Sequence, residues 1–390
     1  MAGVRRLLLL SCAIVFVDTS FYAAMTPLLP GFEHTYGLSK SGAGLLAAAY
    51  PAGTLLGALP GGYLAARAGV KATVLLGLAI MIVSSLAFAF AGSIEVLDAA
   101  RLLQGIGGAA SWAGALAWVT GAAPRGRRGE MIGTAMGAAI VGGLVGPVIG
   151  TLADAIGITP VFCGIAVVGV ALAAWALSTP AAEPEGTSSP GELVAALRDG
   201  RVAAGIWLIA VPGLVFGTIG VLAPLRLDDL GVGAAAIGAV WLAAALLEAT
   251  VSPIVGRVSD RRGRRFPSLL GLSVATVLML LFPWPQEPWQ LIALVLLASP
   301  ALGMLWAPSM ALLSDGAEAV GIAQGFAFAL SNVGWSIGQT TGSAGSARLA
   351  DAAGDAAPYL VLAVVTAGSA LALARAGVGR AVAAGPVGTR

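Results

Sequence analysis

The chain has 390 residues, 58% of them hydrophobic and only 10% charged, where soluble proteins carry about 25% charge. Mean hydropathy is +0.92, and apolar runs of about twenty residues, each enough to cross about 30 Å of hydrocarbon, recur from end to end; a water-soluble globule is excluded. A net charge of +2 with no polybasic block argues against nucleic acid. His34 is the single histidine, and Cys12 and Cys163 both sit inside apolar runs. The usual parts for zinc chemistry, Ser-His-Asp catalysis or a disulfide framework are therefore missing, and neither an enzyme nor a cofactor is expected.

In chain order, Gly, Pro and charge clusters bound predicted helices near 6–30, 39–65, 72–91, 95–121, 128–155 and 158–178. Six more are predicted near 201–225, 233–257, 266–283, 288–313, 318–347 and 357–376. Arg5 and Arg6 followed by Leu7 to Val17 imitate a secretory leader. Asp18 interrupts that run and no small-residue cleavage site precedes it, so the segment is expected to be retained as span 1. The polar stretch 179–200 reads as a linker, with Ser189-Pro190-Gly191-Glu192 as a capping box that opens a short surface helix through Arg198. The expected architecture is an all-α integral membrane protein of twelve transmembrane helices, arranged as a six-helix bundle over 1–178, a cytoplasmic linker over 179–200 and a second six-helix bundle over 201–390. Seventeen Lys and Arg fall on the side of the termini and four on the other, which together are all 21. Basic residues are retained inside during insertion, so both termini are expected in the cytoplasm, with the chain multi-pass in the inner membrane.

The halves repeat. Gly62-Tyr-Leu-Ala-Ala-Arg67-Ala-Gly69-Val-Lys71 follows the second span, and Gly256-Arg-Val-Ser-Asp260-Arg261-Arg-Gly263-Arg264-Arg265 follows the eighth, an offset of 194. Parallel repeats of this kind occur in secondary transporters. These loops, with Arg101-Leu-Leu-Gln104-Gly105-Ile-Gly107-Gly108-Ala109 on span 4 and Gly142-Gly-Leu-Val-Gly146-Pro147-Val-Ile-Gly150 on span 5, resemble the major facilitator superfamily over essentially the whole chain. The span 5 glycine-proline pattern resembles the one associated with antiporters. Asp18, with Pro27 and Pro30 after it, is similar to the first helix of drug:proton antiporters such as tetracycline exporters and vesicular amine transporters. The resemblance implies two bundles rocking about a central site, with the loops Gly62–Lys71 and Gly256–Arg265 as gates. Ala66 stands where the first loop's pattern carries an aspartate, and Val70 where it carries an arginine; the second copy keeps Asp260. The expectation is a weaker latch on the first half, or one carried by Asp260 and the surrounding arginines alone.

A charge at the bilayer centre costs about 2.5–3.5 kcal/mol on insertion scales. Asp18 is accordingly expected as the proton carrier, with Arg101 as its counter-ion; the alternatives are a static ion pair for Asp18 and an Asp98 pairing for Arg101. Helical spacing places Tyr22 and Met25 beside Asp18, and Gln104 and Trp112 near Arg101, as candidate substrate-cavity residues. Glu248, expected deep in span 8 about two turns from its cytoplasmic end with Trp241 on its face, is read with Trp241 as substrate-cavity lining, either protonated or attracting a cationic substrate; the alternative is a side chain snorkelling to the cytoplasm. Asn332, Trp335 and Gln339 form a polar stripe on span 11, read either as cavity lining or as a helix–helix seam. Gly142, Gly146 and Gly150 read as a groove for a neighbouring helix, Trp284 and Trp289 as interfacial anchors, and His34 as solvated. The function expected is proton-coupled export of small amphipathic or drug-like molecules, as in multidrug efflux, by a monomer whose partners are substrate, protons and the lipid bilayer. The alternatives are a proton symporter or facilitator for sugars or other metabolites, and a non-transporting membrane sensor.

Overall fold

The computed structural model describes residues 2–122, 128–181, 197–320 and 324–375. Among them the regular structure is helical, without strands. Twelve helical rods run in order. Span 1 is Ala2–Ala23 continued by Met25–Tyr36, followed by Lys40–Arg67, Val70–Ala89, Ile94–Ala122, Arg128–Ile156 and Ile158–Leu177 as spans 2 to 6. Spans 7 to 9 are Gly200–Asp229, Ala234–Arg262 and Arg265–Leu281. Span 10 is Pro288–Gly303 continued by Trp306–Ala319, span 11 is Gln324–Thr340 continued through a π turn to Ala353, and span 12 is Ala356–Arg375. Among the described residues nine of these rods are long and apolar enough to cross a membrane. The capping box at Ser189 to Glu192 lies outside the described residues, as does most of the expected linker.

The ends differ from expectation where proline misleads. Span 1 reaches Tyr36 rather than residue 30, because the chain passes Pro27 and Pro30 with only a one-residue turn at Ala24. Each proline removes one helix hydrogen bond, and the rest of the rod carries on. Span 11 runs to Ala353 rather than 347 because the π turn Thr341–Gly345 absorbs a local irregularity without ending the rod.

The internal repeat is exact at several landmarks. Span 2 begins at Lys40 and span 8 at Ala234; span 4 begins at Ile94 and span 10 at Pro288, each pair 194 apart. Gly37 and Gly231 share a positive φ, as do Gly69 and Gly263, again at that spacing; both pairs sit where one helix turns into the next and a Cβ would be strained. Lys71 donates to the carbonyls of Leu177 and Thr179, and Arg265 to that of Ala374, so each half ends its sixth helix on the same loop cation. Arg264 pairs with Asp315. The side chain of Asp260 lies outside the described residues.

Glycine ladders bring the helices together. Gly142, Gly146 and Gly150 face the Phe16, Ser20 and Ala24 carbonyls of span 1, the groove expected from the sequence. Gly334, Gly338 and Gly342 repeat this on span 11 against Ile206, Ala210 and Leu214 of span 7. On span 2, Gly53 and Gly57 lie against the carbonyls of Leu102 and Ile106 in span 4.

The halves meet at the face away from the chain termini, here the distal face. Gly44 of span 2 packs on Ser343 and Ala347 of span 11, and Gly238 of span 8 on Pro147 and Thr151 of span 5. The two glycines are 194 residues apart, so these contacts are pseudo-symmetric twins. Polar contacts rim them. His34 Nε2 lies 2.6 Å from Asp228 Oδ2, Lys40 pairs with Asp355, and the Ser41 amide donates to Asp351 over 2.8 Å. His34 is exposed as expected, yet it is engaged rather than merely solvated, because span 7 ends beside it.

Candidate functional site

Asp18 sits sixteen residues from Ala2 and eighteen from Tyr36, so about 24 and 27 Å of helix separate it from the two ends. It is 1% exposed and faces spans 2 and 4, not lipid. Its Oδ2 accepts two hydrogen bonds, from the Tyr50 hydroxyl at 2.8 Å and from Trp112 Nε1 at 2.9 Å. Oδ1 is buried without a hydrogen-bond partner. Gly108 lies directly against the carboxylate: a Cβ there would come within 2.6 Å of Oδ1. The glycine makes the room in which a carboxylate fits between helices.

Arg101, also 1% exposed, makes no direct ion pair with Asp18. It donates instead to Gln104 Oε1 at 2.6 Å and to the carbonyls of Phe21 and Tyr22 at 3.4 Å, and its guanidinium lies 5.2 Å from the Tyr50 ring centre. The direct ion pair expected from the sequence is replaced by a relay in which the Tyr50 ring stands beside the cation and its hydroxyl holds the carboxylate. Arg101 starts two turns in from the distal end of span 4, too far up the bundle to reach a group at mid-depth. Asp98 does not take its place: its Oδ1 is buried without a partner. Gln104 serves to steady the arginine.

Tyr50 is the residue that sequence reasoning missed. Its signal was the span 2 ladder beginning three positions later: Gly53 and Gly57 let spans 2 and 4 touch, and Gly105 approaches the Tyr50 carbonyl so closely that a Cβ would lie 2.0 Å from it. The Tyr22 ring lies tilted against that of Tyr50, with ring centres 4.7 Å apart. Tyr22, Gln104 and Trp112 are thus brought together with Asp18, while Met25 is buried in the apolar core.

The second-half candidates lie elsewhere. Trp335 packs between Phe216 and Trp306, with ring centres 5.9 and 5.1 Å away, and Gln339 backs onto Gly213, so the span 11 stripe faces spans 7 and 10. Asn332 on the same stripe is half-buried, as is Trp241, which packs on the apolar core. Glu248 is fourteen residues from each end of span 8, not two turns from one end, because that helix runs on to Arg262. Its Oε2 accepts a 2.8 Å hydrogen bond from Ser299 on span 10. Trp284 and Trp289 are 68% and 67% exposed at the distal end, where interfacial anchors belong.

A carboxylate held by two donors thus lies at mid-depth of an apolar bundle, near an arginine fixed by carbonyls. The proteins that this chain is similar to are transporters. The synaptic vesicular amine transporter of Homo sapiens is 26% identical over 305 residues, covering 75% of this chain and 58% of that protein. The MFS-type transporter ppzB of Metarhizium rileyi is 31% identical over 159 residues, covering 39% of this chain and 33% of that protein. The chain thus matches 58% of the length of the vesicular amine transporter. Among solved structures, the D-xylose-proton symporter superposes with a TM-score of 0.76 at 15% identity, over 96% of this chain and 98% of that one. A bacterial homolog of the human lysosomal transporter Spinster, in an inward-facing and unoccupied conformation, gives 0.73 at 16% identity over 95% of each chain. At such identities these likenesses speak for the fold alone. The sequence profile of the Major Facilitator Superfamily matches residues 9–339, and the chain belongs to that family of membrane transporters.

Proposed function

We propose that this transporter exports small amphipathic, drug-like molecules in exchange for protons, with Asp18 as the group that carries the proton. The observation behind this reading is the isolated mid-span carboxylate: a charge buried at that depth costs about 2.5–3.5 kcal/mol, and Tyr50 and Trp112 supply donors to only one of its oxygens. Such a group exchanges protons when the bundle opens and gives water access. Arg101 keeps the local field positive, which favours the anion that a cationic substrate or a proton then neutralises. Similarity to the vesicular amine transporter supports an amine-bearing substrate. Residues 1–178 and 201–390 are the two units that rock, and the termini lie in the cytoplasm of a monomer in the inner membrane, as the division of basic residues implies.

With the distal face closed at Gly44 and Gly238, substrate enters from the face of the termini, and external protons reach Asp18 when the distal contacts part. Growth inhibition across a panel of amphipathic amines, comparing cells that express the wild type with cells that express Asp18→Asn, identifies transported compounds. Everted vesicles then test coupling: an inward-acid gradient should drive uptake by the wild type, and an ionophore or Asp18→Asn should abolish it. Transport that survives both would overturn the reading.

A further inference from the structure

The 194-residue repeat assigns a counterpart to every position of the span 2–span 4 crossing that delivers Tyr50 to Asp18. Thr54 corresponds to Glu248, and Gly105 to Ser299. In the first half, Gly105 lies against the backbone of Tyr50 and Thr54. In the second, the same register puts Ser299 against Glu248, and the two side chains are hydrogen-bonded. The crossing is conserved in geometry between the halves, but the second half has filled it with a carboxylate and a hydroxyl.

Around it the sequence offers no cation: residues 234–256 and 266–319 contain no Lys or Arg. The described charged groups of the helix segments packed on span 8 lie toward helix ends. Among the described side chains of the helix segments packed there they are Glu130 and Asp154 on span 5, Glu33 and His34 on the Met25–Tyr36 part of span 1, Asp315 and Glu318 on span 10, Arg265 on span 9, and Arg201, Arg226, Asp228 and Asp229 on span 7. On span 8 itself, the nearest charge is Arg257, nine residues away. Glu248 also lies against Gly303, the last residue before span 10 breaks at Met304 and Leu305, and Pro300 withdraws a further backbone donor there. The carboxyl group therefore sits beside the break in span 10.

We propose that Glu248 and Ser299 form a second proton-binding site, in the second half of the chain and separate from Asp18. The proton comes from water and goes to Oε1, leaving Oε2 to accept from the Ser299 hydroxyl; on release it returns to water. Two side-chain oxygens are too few for a hard metal cation, which takes about six. The site is an equilibrium of this half alone and stands whether or not Asp18 couples to transport. Its consequence, a second proton carried per cycle, rests on the proposed function.

Infrared difference spectra of the full chain in liposomes, recorded between acid and alkaline pH, test it without any substrate. Among the carboxylic-acid carbonyl bands of the 19 Asp and Glu, the wild type should show two that belong to these mid-span groups. Glu248→Gln should remove one and leave the other, and Asp18→Asn should do the reverse. Ser299→Ala, which keeps the packing, should shift only the Glu248 band. A pH difference spectrum unchanged by Glu248→Gln, or a Glu248 band indifferent to Ser299→Ala, overturns the proposal. Loss of the Asp18 band alone from the wild-type spectrum would instead remove the carrier of the proposed function and leave this site standing.

Discussion

Gly108→Ala tests the packing logic of the central carboxylate. The added Cβ would lie 2.6 Å from Asp18 Oδ1, 3.0 Å from Oδ2 and 3.1 Å from Cγ. Reaching ordinary contact at about 3.4 Å requires the carboxylate to retreat by roughly 0.8 Å. That displacement carries Oδ2 away from Tyr50 and Trp112, stretching bonds of 2.8 and 2.9 Å beyond useful length. The expected cost is about 1–3 kcal/mol of overpacking, together with loss of the pH-dependent part of Trp112 fluorescence, isolated by subtracting a Trp112→Phe variant. Gly107→Ala is the control. Its Cβ meets Gly77 O and Ile80 at 2.9 Å on span 3, so it should lower thermal stability by a similar amount and leave the Trp112 signal intact. Equal loss of the Trp112 signal in both variants, or in neither, refutes the reasoning.

Tyr50→Phe keeps the ring beside Arg101 and Tyr22 but deletes the 2.8 Å hydrogen bond to Asp18, so proton-driven transport should fall while thermal stability changes by no more than about 1–2 kcal/mol. Asp228→Asn and His34→Ala should each raise the fraction of molecules open at the distal face, read as accessibility of a cysteine placed near Gly44. The wild-type closure should weaken as pH at the distal face rises and the imidazole loses its charge, since only the protonated ring makes an ion pair. Lys71→Ala and Arg265→Ala each uncap the sixth helix of one half, and each should cost under about 1 kcal/mol in thermal unfolding. A much larger loss in one than in the other would show that the loops are not equivalent.

The architecture was legible because it is written in bulk chemistry. Apolar runs, basic clusters and the repeated loop placed all twelve rods, and the Gly142–Gly150 ladder faces a neighbouring helix as its four-residue spacing required. Asp18 stood out because a charge buried in oil is costly. What sequence could not supply was azimuth and reach. Arg101 was paired with Asp18 because both were improbable charges, yet the arginine starts near the distal end of its helix and is consumed by Gln104 and by backbone carbonyls beside the Ala24 turn. Tyr50 looked like one aromatic among many, and only the closeness of spans 2 and 4 makes it a ligand of the carboxylate. Glu248 was misplaced in depth by a helix end, the least certain quantity in any periodicity argument.

The twin contacts at the distal face separate symmetry of backbone from symmetry of function. At Gly44 an added Cβ would lie 2.6 Å from the Ser343 carbonyl and 2.4 Å from Ala347 Cβ, both fixed to the span 11 backbone. At Gly238 the nearest atom, at 2.2 Å, is the Thr151 hydroxyl, with Thr151 Cβ at 3.5 Å and the Pro147 carbonyl at 3.3 Å. A hydroxyl escapes by rotating about χ1, whereas a π turn braced on both sides does not. Gly44→Ala should therefore part spans 2 and 11, and Gly238→Ala should leave spans 5 and 8 almost where they are, although the two positions are equivalent by sequence repeat. Spin-label distances across each pair read the difference directly. Equal widening would mean that the two halves are held at this face by overall helix packing and not by the local approach of backbone to backbone.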